Sequence, residues 1–154
     1  MNYDLLVRSL RALAEEERGY VPLLANASAL LYESLPDLNW AGFYLLRGDA
    51  LVLGPFQGKP ACICIPLGKG VCGAAARQDR TLLVPDVHAF PGHIACDGAS
   101  NSEIVIPLRR QGRVIGVMDI DSPLLARFGE DDRAGLERFA CALEETLLPE
   151  PFEA

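Results

Sequence analysis

The hydrophobic period of this chain changes at Pro36, and the change limits the folds that it can adopt. Before Pro36, leucines and alanines recur at helical spacing over residues 4–15 and 22–35, which predicts two amphipathic helices with Pro22 in the first turn of the second. Proline cannot continue a helix, so we expect the second helix to end before Pro36. From residue 40 the pattern is that of short strands, and the chain must therefore combine helices with a sheet.

The strands after Pro36 are arranged as two hairpins, with shorter strands and one helix between them. The predicted strands cover residues 40–46, 50–53, 61–66, 81–84, 103–109 and 113–121, and the predicted helices cover residues 71–77 and a stretch from about residue 130 to 147. Hairpins join antiparallel strands through short turns. We therefore expect an α+β fold in a single domain spanning residues 1–154, with an antiparallel sheet and helices packed on its faces.

Composition excludes several classes of protein. Half of the 154 residues are hydrophobic and 23% are charged, which is typical of an ordered globular domain. The net charge of −7 would repel a phosphate backbone, so nucleic acid is not expected as a partner. Apolar runs are too short to cross a bilayer, so no membrane association is expected. Since no basic leader with an apolar core opens the sequence, we expect a cytoplasmic location.

One long segment, from Pro85 to Ser102, follows neither a helical nor a strand period. An ordered loop of this length within a small domain is usually functional. It carries both histidines and Cys96. The imidazole of His93 would favour the nucleophilic thiolate of Cys96, whereas the carboxylate of Asp97 would raise the pKa of that thiol. The alternative is a half-buried thiol with no role.

The other four cysteines have to be considered beside Cys96, since an odd number without an export signal does not indicate a disulfide framework. Cys72 lies at the start of a predicted helix, where free amide groups would stabilise a thiolate, although close packing is the stronger alternative. Cys62 and Cys64 share a face of their predicted strand, so at least one of them is expected to fill space. Cys141, between apolar residues of the last helix, is expected to lie in the core.

The cysteines do not have the spacing of a metal site. There is no C-x-x-C pair, and Cys62 and Cys64 are too close in sequence for the usual zinc spacing. A mixed site of His88, His93 and Cys96 is the one alternative that their shared loop allows. We therefore expect neither a metal nor another cofactor.

Three carboxyl groups are predicted to meet on the last hairpin. Asp119 and Asp121 lie two residues apart and so share a strand face, and Glu103 opens the neighbouring strand. Clustered carboxylates repel, which raises the pKa of at least one of them and makes it a proton donor. Alternatively, the cluster binds a cation, either an ammonium group or a metal ion. A solvated strand end is the remaining interpretation.

An aromatic wall is predicted on the first strand of the sheet. Trp40 and Tyr44 share one strand face, whereas Phe43 should point to the core on the other face. Aromatic faces attract a cation or a methyl group with partial positive charge. A thiol, a cluster of acids and an aromatic wall together suit the reduction of a small polar sulfur compound.

These residues lie in motifs that cover nearly the whole chain. The motifs are WAGFY (40–44), GPFQG (54–58), AC (61–62), GKGVCG (68–73), DVH (86–88), FPGHIACD (90–97), SEIV (102–105) and GVMDIDS (116–122). With them the chain closely resembles the free methionine-(R)-sulfoxide reductases, which are enzymes built on a GAF domain. The resemblance implies reduction of free L-methionine (R)-sulfoxide through a cysteine sulfenic acid and an intramolecular disulfide, with thioredoxin as reductant and a homodimer as the common assembly.

The resemblance also implies roles for the cysteines. Cys96 matches the family's nucleophile, Cys62 the resolving thiol and Cys72 a third cysteine with an auxiliary redox role. Cys64 and Cys141 lie outside the family's pattern. Because Cys64 is only two residues from Cys62, Cys62, Cys64 and Cys72 all remain candidates for the main resolving thiol.

The resemblance assigns substrate contacts to the remaining candidates. Trp40 and Tyr44 match the aromatic substrate wall, and Glu103, Asp119 and Asp121 match the polar substrate-binding and acid residues. Which carboxyl group donates the proton stays open. The alternative function, from another class, is a GAF sensor module that binds a small ligand without catalysis.

Overall fold

The computed structural model describes residues 1–94 and 96–150 and contains, along that length, helices on both faces of one sheet. The helices are α1 (Tyr3–Glu16), α2 (Tyr20–Ser34), α3 (Gly70–Gln78) and α4 (Glu130–Thr146), with a short 3-10 helix at Val87–Ala89. The strands are β1 (Trp40–Arg47), β2 (Ala50–Gly58), β3 (Cys64–Pro66), β4 (Leu82–Val84), β5 (Ser102–Arg110) and β6 (Arg113–Ser122).

The six strands form one antiparallel sheet in the order β3-β2-β1-β6-β5-β4. Both predicted hairpins form, β1 with β2 and β5 with β6, and they join through the pairing of β1 with β6. The predicted α+β class is therefore confirmed. The consequence for the site is that β1, β5 and β6, which carry its aromatic and acidic residues, are neighbours in the middle of the sheet.

The two faces of the sheet bury two separate apolar clusters. Helices α2 and α4 cover one face, and α1 packs on these two helices. Phe43 and Met118 of the sheet lie in the same cluster as Phe139 of α4. Helix α3 covers the other face, where Trp40 and Tyr44 pack with residues of α3. Successive strand residues point to opposite faces, so the alternation along β1 separates Phe43 from the two aromatic residues as the sequence predicts.

Local sequence accounts for the ends of the helices. The side chain of Asn2 accepts a hydrogen bond from the backbone N–H of Leu5 at 3.0 Å and so caps α1. The N–H of Gly129 donates to the carboxylate of Asp132 at 2.9 Å, which fixes the start of α4. Helix α2 ends at Ser34, just before Pro36, as expected.

Two strands, β2 and β3, differ in length from the prediction by three residues or more, and the others by one or two. Strand β3 covers only Cys64–Pro66, because only these residues pair with β2, so Cys62 lies before the strand and the argument that it shares a strand face with Cys64 is wrong. Strand β2 instead continues to Gly58, since its second half still pairs with β1. Cys64 is exposed and does not fill space in a core.

The prediction for Cys141 is also wrong. This thiol is exposed on α4, whereas Leu136, Phe139, Ala140 and Leu143 are buried. These four residues follow the i, i+3, i+4, i+7 pattern of a single helix face, and position 141 falls outside it.

No helix among residues 1–94 and 96–150 is both long enough and apolar enough to span a membrane.

Candidate active site

A cavity lies between the α3 side of the sheet, the beginning of α3 and the loop that carries Cys96. Seven of the eight candidate residues from the sequence line this cavity: Trp40, Tyr44, Cys72, Cys96, Glu103, Asp119 and Asp121. The eighth, Cys62, is bonded to Cys96. The cavity volume is about 40 Å³, which holds a few water molecules.

A disulfide joins Cys62 and Cys96, whose Cα atoms are 5.5 Å apart. Both residues are half-buried, and the bond ties the loop after β4 to the segment that leads into β3. The pairing of these two cysteines, which the family resemblance implies, is thereby confirmed. In this oxidised form neither sulfur is a nucleophile, so the structure represents the protein before reduction.

The pairing of β5 with β6 brings the three carboxyl groups together. Glu103 lies directly opposite Asp121, and Asp119 is two residues further along the same face of β6. Glu103 and Asp119 are 7% and 5% exposed, and Asp121 is half-buried. One oxygen of Asp119 and one of Asp121 are buried and have no hydrogen-bond partner. The predicted cluster therefore exists, and it is shielded from water, which excludes the interpretation as a solvated strand end.

Burial and mutual repulsion set the charges in this cluster. Removal from water, followed by the charge of Asp119, raises the pKa of Glu103 and that of Asp121 well above their ordinary values. Removal from water also raises the pKa of Asp119, but hydrogen bonds from its neighbours oppose this rise. Asp119 is thus the group best stabilised as an anion, and Glu103 and Asp121 are the groups suited to donate a proton.

Cys72 is a buried thiol next to the carboxyl groups. Its Sγ lies 4.0 Å from a carboxyl oxygen of Glu103, and the residue is 5% exposed. Burial, followed by the charges of Asp119 and Glu103, raises the pKa of the Cys72 thiol well above its ordinary value. The alternative of a thiolate stabilised by the start of α3 is therefore wrong, because burial and the nearby carboxylates outweigh the helix dipole.

The aromatic wall contains one residue more than the sequence suggests. The ring of Trp40 stacks on Tyr44 at 5.8 Å between centroids and on Phe56 of β2 at 5.1 Å. The Trp40 indole N–H donates to the backbone oxygen of Lys59 at 3.2 Å, and the Tyr44 hydroxyl donates to that of Cys62 at 3.0 Å. Both rings are thus fixed with their polar atoms already bonded, so that they offer the cavity mainly an apolar surface.

The role of Phe56 depends on a glycine in the neighbouring strand. Gly42 lies opposite Phe56, and a Cβ atom on Gly42 would lie 2.3 Å from the Cβ of Phe56. Any side chain at position 42 would therefore displace Phe56 from its contact with Trp40. The motifs at 40–44 and 54–58 contain these residues, but only the register of the hairpin relates them.

Asn39 is a second residue of the site that sequence reasoning did not find. Its side-chain amide donates to the carboxylate of Asp97 at 3.0 Å and to the hydroxyl of Ser100 at 2.9 Å. The Asp97 carboxylate also accepts from the N–H of Ala99, and this hydrogen bond and that of Asn39 lower the pKa of Asp97. Asn39 therefore holds the segment after Cys96 against the beginning of β1. No pattern could reveal this contact, since 58 residues separate Asn39 from Asp97.

His93 and Lys69 also line the cavity. Burial, with a smaller contribution from His88, lowers the pKa of His93, which therefore favours the neutral imidazole. In the part of the chain that the structure describes, His88, His93 and Cys96 do not form a group of potential metal ligands. The group of potential metal ligands in the described part of the chain is instead Cys72, Glu103 and Asp119.

The chain is similar to known proteins in both sequence and fold. The sequence profile described as "GAF domain" matches residues 3–147. The free methionine-R-sulfoxide reductase of Escherichia coli (strain K12) is 54% identical over 145 residues, which cover 94% of this chain and 88% of that protein.

Two structures agree closely with the fold. One is fRMsr of Staphylococcus aureus in complex with substrate, with a TM-score of 0.90, 49% identity, and coverage of 96% of each chain. The other is free methionine-R-sulfoxide reductase from Neisseria meningitidis in complex with its substrate, with a TM-score of 0.90, 45% identity, and coverage of 94% of this chain and 87% of that chain.

Proposed function

The chain belongs to the GAF domain family and, within it, to the free methionine-(R)-sulfoxide reductases, and we propose that it reduces free L-methionine (R)-sulfoxide to L-methionine with Cys96 as the nucleophile. The observation that carries this proposal is that Cys96, already bonded to Cys62, lines the same cavity as Trp40 and the three carboxyl groups. The substrate complexes of the Staphylococcus aureus and Neisseria meningitidis proteins support the choice of substrate.

The cavity walls match the parts of the proposed substrate. A sulfoxide draws electrons from its methyl group, and a methyl group with partial positive charge is attracted to the face of an aromatic ring such as Trp40. The carboxylate of Asp119, which has an unpartnered oxygen, would bind the α-ammonium group. Because Cys96 is not a nucleophile while it is bonded to Cys62, the substrate reacts only after the disulfide has been reduced.

The reaction proceeds in three steps. The thiolate of Cys96 attacks the sulfoxide, an S–O bond forms on the cysteine as that of the substrate breaks, and methionine and a cysteine sulfenic acid result. The thiol of Cys62 then attacks the sulfenic sulfur, so that the disulfide forms and water leaves. Thioredoxin supplies two electrons and two protons by thiol–disulfide exchange and restores both thiols.

The carboxyl groups supply the proton that the first step requires. The oxygen of a sulfoxide leaves poorly unless it is protonated. Glu103 and Asp121, whose pKa values are raised well above the ordinary range by burial, are neutral acids near Cys96. We assign proton donation to this pair and binding of the ammonium group to Asp119, whose pKa is also raised by burial but is held down in part by hydrogen bonds from its neighbours.

Single substitutions test the roles of the cysteines. Cys96→Ser should abolish turnover of free methionine (R)-sulfoxide, because it removes the nucleophile. Cys62→Ser should allow about one turnover per chain and then stop with thioredoxin as reductant, since no intramolecular disulfide can form. Cys64→Ser is the matched control, because Cys64 is exposed, two residues from Cys62 and outside the disulfide, and it should retain multiple turnovers. Unchanged activity in Cys96→Ser, or a Cys64→Ser variant that stops after one turnover while Cys62→Ser does not, would contradict these assignments.

Counting thiols distinguishes the enzyme from a sensor module that only binds. The reduced chain has five thiols, and the disulfide leaves three, at Cys64, Cys72 and Cys141. Addition of methionine sulfoxide without reductant should therefore remove two thiols per chain and release methionine. A module that only binds its ligand would keep all of its thiols.

A further inference from the structure

Three metal-binding donor atoms converge on one side of the cavity. They are the sulfur of Cys72 and a carboxyl oxygen each of Glu103 and Asp119, and all lie within 4.8 Å of one another. They come from α3, β5 and β6, and all three residues are buried. Bonds from Zn²⁺ to sulfur and oxygen are about 2.0–2.3 Å long, so a small inward shift of the side chains lets one ion contact all three atoms.

A second observation is that carboxylate oxygens on this side of the cavity lack hydrogen-bond partners. The Oδ1 atom of Asp119 is buried without a hydrogen-bond partner in a residue that is only 5% exposed. The Oδ1 atom of Asp121 is also buried without a hydrogen-bond partner. Burying a carboxylate oxygen without a donor is costly, so the site favours a positively charged occupant. The cavity of about 40 Å³ has room for an ion in the oxidised form.

The type of donor selects the ion. Mg²⁺ and Ca²⁺ prefer six or more oxygen ligands, and a sulfur ligand does not suit them. Zn²⁺ is bound by thiolate and carboxylate ligands in a four-coordinate site, in which water can supply the remaining position. Because the ligands must be deprotonated, the protons of Cys72 and Glu103 are released to solvent when the metal binds. We infer that the disulfide-bonded protein binds one Zn²⁺ through Cys72, Glu103 and Asp119. The sequence offers a metal ion as one alternative for the carboxyl groups, but it does not place Cys72 beside them, because Cys72 is far from Glu103 and Asp119 along the chain.

The metal site has a consequence that rests on the proposed function. The same carboxyl groups would bind the ammonium group of the substrate and protonate its oxygen, so zinc and methionine sulfoxide cannot occupy the cavity together. Zinc would thus act as a competitive inhibitor and not as a cofactor of the reaction. Its binding, in contrast, depends only on the three donors and can be measured without turnover.

The binding experiment uses the oxidised protein, in which Cys62 and Cys96 are bonded and cannot serve as ligands. Zinc uptake is measured by competition with a chromophoric chelator, and Cd²⁺ replaces zinc to reveal a sulfur-to-metal charge-transfer band in the ultraviolet. We expect one ion per chain and one sulfur ligand. Cys72→Ser should remove the band and weaken zinc binding at least about tenfold, and Asp119→Asn should weaken binding while the band persists at saturating Cd²⁺.

The matched control is the double variant Cys64→Ser/Cys141→Ser, which removes the two exposed thiols and leaves the cavity unchanged. It should bind zinc like the unmodified protein. No uptake by the oxidised protein, or a band that survives Cys72→Ser and disappears in the double variant, would overturn the inference. Circular dichroism of each variant checks that the fold is retained.

Competition tests the consequence separately. In the reduced Cys96→Ser/Cys62→Ser variant, which cannot react, methionine sulfoxide should raise the zinc concentration needed for half-saturation. If zinc binds with the expected ligands but the sulfoxide has no effect, the metal site stands and its overlap with the substrate is wrong. If zinc does not bind but Cys96 is essential for turnover, the metal site is wrong and the proposed function stands.

Discussion

Formation of the bond between Cys62 and Cys96 closes a loop in the chain, and we expect the closed form to unfold at a much higher temperature. The two cysteines are separated by 34 residues. For a loop of this length the lost entropy of the unfolded chain corresponds to about 3.8 kcal/mol at about 25 °C. Unfolding entropy of roughly 2.1 cal/mol/K per residue gives about 0.32 kcal/mol/K for this chain, so the melting temperature should rise by about 12 °C.

The assay couples this gain in stability to the proposed reaction. The reduced protein is treated with excess methionine sulfoxide, desalted to remove substrate and methionine, and melted without reductant beside an untreated sample. Desalting matters because a bound ligand would also raise the melting temperature by mass action. Cys64→Ser should show the full rise, since the loop still closes, and Cys62→Ser should show none.

Two results would refute the reasoning. If the treated protein melts no higher than the untreated one although two thiols per chain have disappeared, the bond does not restrict the unfolded chain as calculated. If Cys62→Ser shows the same rise, another cysteine closes the loop. Cys72 would then be the next candidate, because it lines the same cavity as Cys96.

Two further substitutions test the electrostatics and the loop. Burial raises the pKa of Glu103 above its unfolded value, so the folded protein retains a proton that the unfolded chain releases, and stability falls as the pH rises above about 4.3. Glu103→Gln cannot ionise, and its free energy of unfolding in urea should therefore improve relative to the parent as the pH increases from 4 to 8, a trend whose absence would argue against a raised pKa. Asn39→Ala removes the hydrogen bonds to Asp97 and Ser100 and should cost about 1–3 kcal/mol of stability. Hydrogen exchange of the amides at residues 96–100 should become faster in this variant, and unchanged exchange would mean that Asn39 does not hold the loop.

Much of the fold follows from local patterns in the sequence. The change of period at Pro36 separates the two helices from the sheet, and the turns at residues 47–49 and 111–112 predict the two hairpins that form its centre. Alternation within a strand separates Phe43 from Trp40 and Tyr44. These predictions succeed because a strand or a hairpin fixes the relative directions of residues that are close in sequence.

The same reasoning reaches part of the site. Glu103, Asp119 and Asp121 are brought together by a single hairpin, so their meeting was predictable from its turn. The resemblance to a family, and not the spacing, implied the pairing of Cys62 with Cys96. The exposure of Cys141 was predicted wrongly because an apolar neighbourhood in sequence does not fix the face of a helix that a residue occupies.

Local pattern in this sequence therefore determined which elements form and which residues share a face of one element. Only the tertiary structure decided which elements meet: it placed Cys72 of α3 against Glu103, Asn39 against the loop at Asp97, and Phe56 on Trp40. It also raised the pKa of the Cys72 thiol, because the pKa of a thiol depends on the water and charges around it. The physical reason is distance along the chain. Periodicity reflects which residues of one element are buried, whereas distances and solvation in a cavity depend on elements that are remote in sequence and pack together.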